Sequence, residues 1–247
     1  MNVYINRFVL EICQAPAACF MIGHGLSHSS KKTNEIMGLQ KDMSLTLRER
    51  NKKDKFLRIR AASRKLFTEN GFELTTTRQI AEEADVGLST LFLYATDKRD
   101  LLFLVFNDEL DELTTKAFAN LDPSLPLLGR LESALRHFFE FYGRDKVLSR
   151  DLTREITFYT TGMQSERFQA TRARTIDCIG ELVSAARTKG EVLTDVSDAV
   201  IAKTIFYLLA AEIRMWLAEA SEDPGDGLAE LMQRLKLLVF GLGAEGH

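Results

Sequence analysis

Proline, cysteine and histidine are all scarce in this 247-residue chain, and each shortage excludes some classes of fold or function. With four prolines and no Asn-Gly or Asp-Gly hairpin between alternating strands, helix is the expected element throughout. Three cysteines (Cys13, Cys19 and Cys178) do not make a disulfide framework, which favours a reducing, cytoplasmic setting. No run of 18 apolar residues occurs, so neither a transmembrane helix nor a membrane partner is expected.

The first 45 residues differ in character from the rest. The apolar stretch from Phe8 to Ile22 is interrupted by Glu11 and Gln14 and is followed by no convincing cleavage site, which disfavours a secretory signal. A polar, glycine-rich and serine-rich stretch without helical period follows it. Residues 1–45 are therefore interpreted as a disordered extension, or as sequence upstream of a later start at Met43.

Catalytic and metal sites lack the residues that they need. Cys19, His24 and His28 have a spacing that matches no structural zinc pattern. No Gly-x-Ser-x-Gly, His-Glu-x-x-His or phosphate-cradling glycine loop occurs, and His137 is the one histidine left in the predicted folded body. We therefore expect no catalytic residues, no metal and no cofactor, and predict that the protein is not an enzyme.

Charge is distributed unevenly along the chain, whose formal net charge is −3. Between Arg48 and Lys65, nine basic side chains are opposed by Glu49 and Asp54 alone, a local charge of +7 that leaves −10 elsewhere. Such asymmetry indicates a small basic module on an acidic body. The nine basic residues are Arg48, Arg50, Lys52, Lys53, Lys55, Arg58, Arg60, Arg64 and Lys65.

Two short helices with a tight break are predicted after a first helix that begins near Lys53. Asn70-Gly71 is a stop signal for that first helix. Thr76 and Gln79 have capping-box spacing, which starts the second helix. The following elements are a helix end at Asp85, a turn at Val86-Gly87, a short helix from Leu88 to Tyr94, and a fourth helix, capped by Asp97, from Lys98 to about Lys116.

The segment from Asn120 to Pro126 is a boundary signal, and amphipathic helices are predicted beyond it. Apolar spacing places them at about 127–143, 147–161, 164–189, 194–220 and 226–241. The predicted fold class is all-α.

The residues "AASRKLFTENGFELTTTRQIAEEADVGLSTLFLYATDKRDLL" carry a further signal. Their alanine pair, Leu-Phe, Gly-Phe, Thr-Thr-x-Arg-x-Ile-Ala and Thr-Leu-x-x-Tyr resemble the DNA-binding domain of the TetR family of bacterial transcriptional regulators. The resemblance implies a three-helix helix-turn-helix domain over residues 46–100 and a helical effector-binding and dimerisation domain over 101–247. It also implies a homodimer through the last two helices, and a repressor released from double-stranded operator DNA by a small-molecule effector.

The position of each residue in this motif suggests its contact with DNA. Arg78 and the amides of Thr76 and Thr77 are expected on phosphate at the start of the second helix, and Lys98 at the start of the fourth. Tyr94 matches a position where a polar aromatic meets the DNA backbone. The segment from Arg48 to Lys55 is interpreted as a basic arm that follows phosphates or enters a minor groove.

The predicted reading helix carries no charge and no amide side chain, so no bidentate contact to guanine or adenine is available from it. We therefore predict that thymine methyls and DNA shape are read, with affinity from phosphates. An alternative is that its apolar side chains are core in a helical hairpin that binds no DNA. The residues expected to be exposed are Gly87, Leu88, Ser89, Thr90, Phe92 and Leu93, whereas Leu91 is expected to point inward.

An effector cavity is expected among the aromatic residues of the second domain, because ligand sites are mostly apolar with a few polar groups. The sequence does not identify the ligand. A second alternative for the whole chain is a helical adaptor that binds protein through its last helices. The candidate effector contacts are His137, Phe138, Tyr142, Arg154, Phe158, Tyr159 and Phe206, with Glu155 as a further polar candidate.

Overall fold

The computed structural model describes residues 46–240, and this part of the chain is all-α, as predicted, with nine helices and no strand. The expectations for residues 1–45, including Cys19, His24 and His28, fall outside the described residues. The helices are α1 (Leu47–Leu74), α2 (Thr77–Glu83), α3 (Leu88–Leu91), α4 (Lys98–Phe118), α5 (Leu127–Gly143), α6 (Lys146–Ile156), α7 (Ser165–Thr188), α8 (Asp198–Ala218) and α9 (Pro224–Phe240).

Side-chain caps fix the starts of the first two helices. Thr46 and Glu49 form a capping box, so α1 begins six residues before the predicted start at Lys53. The predicted box at α2 is confirmed, because the Gln79 amide donates to Thr76 Oγ1 at 3.2 Å and the Thr76 amide to Gln79 Oε1 at 2.8 Å. Both boxes satisfy amides that the first helical turn leaves without partners.

The predicted stop at Asn70-Gly71 is present as a kink within α1. Gly71 has φ 78 and ψ 160, a conformation that favours glycine. The chain turns back there, and Phe72 packs against Phe67 with their ring centroids 5.4 Å apart. The last residues of α1 are thereby directed toward the next helix.

Several predicted helix boundaries were wrong, among them the end of the helix predicted from Leu88 to Tyr94, which stops at Leu91, and tertiary contacts explain two of the others. Helix α6 ends at Ile156 rather than at residue 161, because the following segment turns at Gly162 (φ 129) to reach a buried carboxylate on α4. Helix α8 begins at Asp198 rather than at 194. Arg187 from α7 donates to the Val196 carbonyl at 2.6 Å and to Asp198 at 2.8 Å, which holds the preceding residues extended.

The body of the molecule is built from α4 to α9. Helix α7 packs on α4 and α8, and α9 packs on α5 and α8. Trp216 of α8 lies edge-on to Phe139 of α5, with centroids 5.7 Å apart, and Gly227 of α9 lies against both rings. Within residues 46–240, each helix is too short or too polar to cross a lipid bilayer.

Gly227→Ala should destabilise the body. A Cβ at this position would stand 2.6 Å from a Phe139 ring carbon and 2.7 Å from Trp216 Cγ, so the helices would have to separate. Overpacking of this kind costs about 1–3 kcal/mol. Urea titration followed by circular dichroism measures the change.

Gly180→Ala is the matched control, because its Cβ would meet nothing nearer than the Ala202 methyl at 3.7 Å. It should stabilise the protein by about 0.5–1 kcal/mol through the higher helix propensity of alanine. Equal midpoints for the two variants would contradict close packing at Gly227.

Candidate nucleic-acid interface and effector cavity

Helix α3 presents an apolar surface to solvent. Leu91 is fully buried beneath it, as predicted, whereas Leu88, Phe92 and Leu93 are 41%, 40% and 52% exposed. The alternative in which these three side chains form a helical core is therefore wrong. Large apolar side chains held outward on a one-turn helix are available for contact with a partner.

The turn before α3 differs in detail from the predicted Val86-Gly87 turn. Asp85, with φ 50, is its left-handed residue, and the Val86 amide donates to the Ala81 carbonyl at 3.0 Å. Gly87 has φ −66, and a Cβ there would meet no atom nearer than 3.8 Å. The fold itself does not require glycine at position 87. The backbone at the start of α3 therefore carries no side chain that would keep a binding partner away.

Phosphate-binding candidates surround α3. The α2 N-terminus is exposed at Thr76, and Arg78 projects beside it, paired with Glu82 at 3.2 Å. Both partners of that pair are mostly exposed, so it is weak and easily exchanged for a phosphate contact. The Thr76 amide, however, already donates to Gln79 Oε1, and the anchoring role of Thr76, Thr77 and Arg78 stays a prediction.

Tyr94 and Lys98, in contrast, are held by the protein. The Tyr94 ring is buried, and its hydroxyl donates to the Lys52 carbonyl at 3.2 Å. Lys98 Nζ donates to the carbonyls of Phe72 at 2.7 Å and Glu73 at 3.0 Å, over the Phe72 ring. Tyr94 therefore fixes the start of α1 relative to α3, and Lys98 fixes the end of the kinked segment of α1 relative to α4. The sequence motif did not indicate this positioning role.

The basic run divides into two halves. Its second half forms ion pairs, two within the head, Arg58–Asp85 and Lys65–Glu83, and two that join the head to α4, Arg60–Asp108 and Arg64–Glu109. Its first half lies on the opening turns of α1, beside Tyr94, and is helical rather than an extended arm. The cationic surface near α3 thus comes from the first half, which comprises Arg48, Arg50, Lys52, Lys53 and Lys55.

A cavity of about 280 Å³ that is partly open to solvent lies in the body between α4, α5, α6, α7 and α8. Its wall is mostly apolar, with threonine hydroxyls and two arginines, and it contains no acidic residue. Arg214 donates to Thr157 Oγ1 at 3.1 Å, and Arg172 lies 5.5 Å from the Phe206 ring centre. Burial raises the pKa of the Tyr142 phenol, so this cavity hydroxyl stays neutral.

Three of the seven predicted effector residues, Phe138, Tyr142 and Phe206, line this cavity. The other four do not. His137 faces Glu140 on the surface of α5, and Arg154 pairs with Glu73, Asp151 and Glu155. Phe158 is 79% exposed, and Tyr159 is buried against Phe103, its hydroxyl donated to Asp100.

The polar part of the cavity wall was not among the residues predicted from the sequence. Polar residues recur on one face of α7 among apolar ones, at spacings of three and four, and this was the available signal. Without that pattern, isolated arginines and threonines on a long helix are interpreted as surface residues. The missed polar residues are Thr114, Thr153, Thr157, Thr171, Arg172, Thr175 and Arg214.

The exposed α3, the preceding tight turn and the anchoring N-terminus of α2 define a helix-turn-helix module, the class that places its second helix in the major groove of DNA. A family model described as "Bacterial regulatory proteins, tetR family" matches residues 59–105. Residues 59–105 are therefore a TetR-family DNA-binding domain, and the protein is a DNA-binding transcriptional regulator.

Two curated relatives illustrate how far the similarity extends. The repressor KstR of Rhodococcus jostii (strain RHA1) is 24% identical over 196 residues, which cover 78% of this chain and 85% of that protein. The regulator YhgD of Bacillus subtilis (strain 168) is 34% identical over 83 residues, 34% of this chain. The match spans 44% of YhgD, less than half of its length.

Solved structures share the whole architecture. FadR of Thermus thermophilus, a TetR-family repressor in complex with lauroyl-CoA, is 26% identical with a TM-score of 0.61 and covers 78% of this chain and 97% of its own. FadR of Bacillus subtilis in complex with stearoyl-CoA is 18% identical with a TM-score of 0.60, over 76% and 100% of the two chains. At that identity, the second likeness indicates the common fold alone.

Phe92→Ala should weaken operator binding and leave the fold intact. Its half-exposed ring supports little of the core, and its loss removes an apolar contact to DNA of about 1–3 kcal/mol, or roughly fivefold to 150-fold in affinity. Fluorescence anisotropy with an operator duplex and a thermal melt measure the two properties.

Leu193→Ala removes a large apolar side chain from an exposed position in the body, between α7 and α8, and should leave operator affinity unchanged. Leu91→Ala, by contrast, should lower stability by about 2–5 kcal/mol, because Leu91 is core. Unaltered operator binding by Phe92→Ala would remove Phe92 from the interface.

Proposed function

We propose that this protein is a homodimeric repressor that is released from its operator when a fatty acyl-coenzyme A fills the body cavity. The observation that carries the proposal is an apolar cavity whose charged wall residues are both arginines, in the same chain as an exposed reading helix. Residues 46–100 are assigned to DNA binding, and residues 101–247 to effector binding and dimerisation.

Operator recognition by α3 is proposed to be mainly apolar. Among its exposed side chains, Leu88, Phe92 and Leu93 can contact thymine methyls, whereas Ser89 and Thr90 supply short hydroxyls. Affinity then comes from phosphate contacts by the α2 N-terminus, Arg78 and the first half of the basic run. DNA shape contributes where no base edge is touched.

Replacing operator thymines with uracil should lower affinity at the positions that α3 covers. Each lost methyl contact should cost on the order of 1 kcal/mol, or about fivefold, and thymines outside the two half-sites should be insensitive. Competition gel shifts with a set of singly substituted duplexes measure the pattern. A flat pattern across all thymines would contradict apolar reading.

The chemistry of the cavity indicates an effector with an apolar body and an anionic head. Apolar and aromatic side chains form most of the wall, while Arg214 and Thr157 lie at its more exposed side. Guanidinium groups bind phosphate well because their donors are fixed in a planar fork. The complex of Thermus thermophilus FadR with lauroyl-CoA supports an acyl thioester with a phosphate-bearing head as the class.

Dimerisation through α8 and α9 is supported by the apolar side chains that these helices leave exposed. Val200 and Met215 project from α8, and Leu237 and Leu238 from α9. A contiguous apolar face on paired helices is typical of a subunit interface. Binding of such a dimer to two half-sites requires its two reading helices to lie about 34 Å apart, one turn of the DNA duplex.

Release is proposed to be a population shift. An effector weakens operator binding only by its difference in affinity for the DNA-competent and DNA-incompetent conformers, commonly a fivefold to 150-fold effect, or about 1–3 kcal/mol. Leu110 and Thr114 of α4 lie in the cavity wall, and the first turn of the same helix touches the DNA-binding head. A tilt of α4 on filling of the cavity would therefore also move the DNA-binding head.

Lauroyl-CoA should weaken binding of the protein to its operator, and Arg214→Ala should reduce that response. Loss of one charge-assisted contact at the exposed side of the cavity should raise the lauroyl-CoA dissociation constant by about tenfold. Isothermal titration gives the ligand affinity, and anisotropy with added lauroyl-CoA gives the operator affinity.

Arg136→Ala is the matched control, since Arg136 pairs with Glu132 on the outer face of α5 and lies outside the cavity wall. Coenzyme A without an acyl chain should have little effect, because it lacks the apolar body. Lauroyl-CoA that binds and leaves operator affinity unchanged would contradict the proposed release.

A further inference from the structure

We infer that the turn between α6 and α7, residues 157–164, positions the reading helix for operator recognition, although it belongs to the body. Two buried polar side chains make this connection. Gln164 closes the turn and reaches the chain just after α3, and Asp100 on α4 joins the turn to the residue that precedes α4.

Gln164 is 3% exposed, and three of its polar groups connect separate elements. Its side-chain Nε2 donates to the Tyr94 carbonyl at 3.3 Å, directly behind the exposed surface of α3. Its backbone amide donates to Asp100 Oδ1 at 2.9 Å, and its carbonyl accepts from Asn107 Nδ2 at 3.1 Å. A buried amide satisfied in this way fixes the distance between the turn and the head.

Asp100 is fully buried, and among the described contacts the oxygens of its carboxyl group accept hydrogen bonds from uncharged donors. It accepts from the Thr96 amide at 2.8 Å on the head side, and from the amides of Met163 at 2.9 Å and Gln164 on the turn side. The Tyr159 hydroxyl also donates to it. A Cβ at Gly162 would stand 2.7 Å from the same carboxylate, so the turn lies closely against it.

External support matters here because α3 is short. It comprises four helical residues, and its own backbone bonds continue only through turns to Ala95. A helix of this length does not hold its orientation alone. Tyr94, through Gln164, and Thr96, through Asp100, are held on the side away from solvent, which leaves the opposite side to face the bases.

The role can be separated from general stability because specific and nonspecific DNA binding depend on different properties. Nonspecific affinity follows the number of phosphates neutralised, whereas specificity needs side chains placed accurately at base edges. Loss of a positioning bond should therefore reduce operator affinity and leave nonspecific affinity and its salt dependence unchanged.

Gln164→Met tests the inference, because it keeps the length of the side chain and removes the donor. Binding to the operator duplex should fall by about threefold to tenfold, the range for one hydrogen bond, with binding to a scrambled duplex unchanged. Lys146→Met is the control, since buried Lys146 also donates to backbone carbonyls, among them that of Trp216 at 3.5 Å, but makes these contacts within the body and outside the turn. It should leave both affinities unchanged.

Equal losses on the operator and scrambled duplexes, no loss on either, or equal operator losses for the two variants would each overturn the inference. Hydrogen exchange on the unaltered protein provides a test that needs no variant. Amides of Met163 and Gln164 should become more protected when the operator is added and should not respond to the scrambled duplex. The same protection with both duplexes, or with neither, would also overturn it.

Discussion

A buried carboxylate on the first turn of α4 holds the DNA-binding head and the body in one arrangement. Burying an ion costs several kcal/mol unless its oxygens are satisfied, and hydrogen bonds to a charged group contribute about 1.5–3 kcal/mol each. Asp100 receives donors from Thr96, Tyr159, Met163 and Gln164. The cost of burial is thus offset only while the head and the turn keep these positions.

The phenol in this cluster is suited to its role as a donor. Burial, and then the hydrogen bond to Asp100, raise the pKa of Tyr159 well above its ordinary range. Its hydroxyl therefore keeps its proton, while its ring stacks on Phe103 with centroids 3.6 Å apart. Phe168 packs on the same two rings and also lines the cavity, so the polar cluster and the cavity share one wall.

The sequence predicted best those features that depend on neighbouring residues. The α2 capping box, the break at Asn70-Gly71 and the bounds of α5 follow from local spacing, and all are present. The outward face of α3 was also predictable, because Leu91 alone occupies its inward position. These features need no information about distant parts of the chain.

Features created by tertiary contacts were predicted poorly. The early end of α6 depends on Asp100, which is more than 50 residues away, and the extended residues before α8 depend on Arg187. Lys98 appears in the sequence as a cation at a helix start, a typical phosphate anchor, yet the carbonyls that end α1 hold it. Residue type alone does not reveal which partner a flexible charged side chain meets.

Part of the basic segment connects the DNA-binding head to the body through ion pairs. Arg60 and Arg64 bind Asp108 and Glu109 on α4, so part of the positive charge that marks the head in the sequence joins it to the body. These pairs are partly exposed, and each contributes little on its own. They leave the head free to tilt relative to α4, whereas the buried Asp100 and Gln164 contacts resist displacement. An effector that moves α4 therefore has to act against the buried polar contacts, and the surface pairs can re-form after the movement.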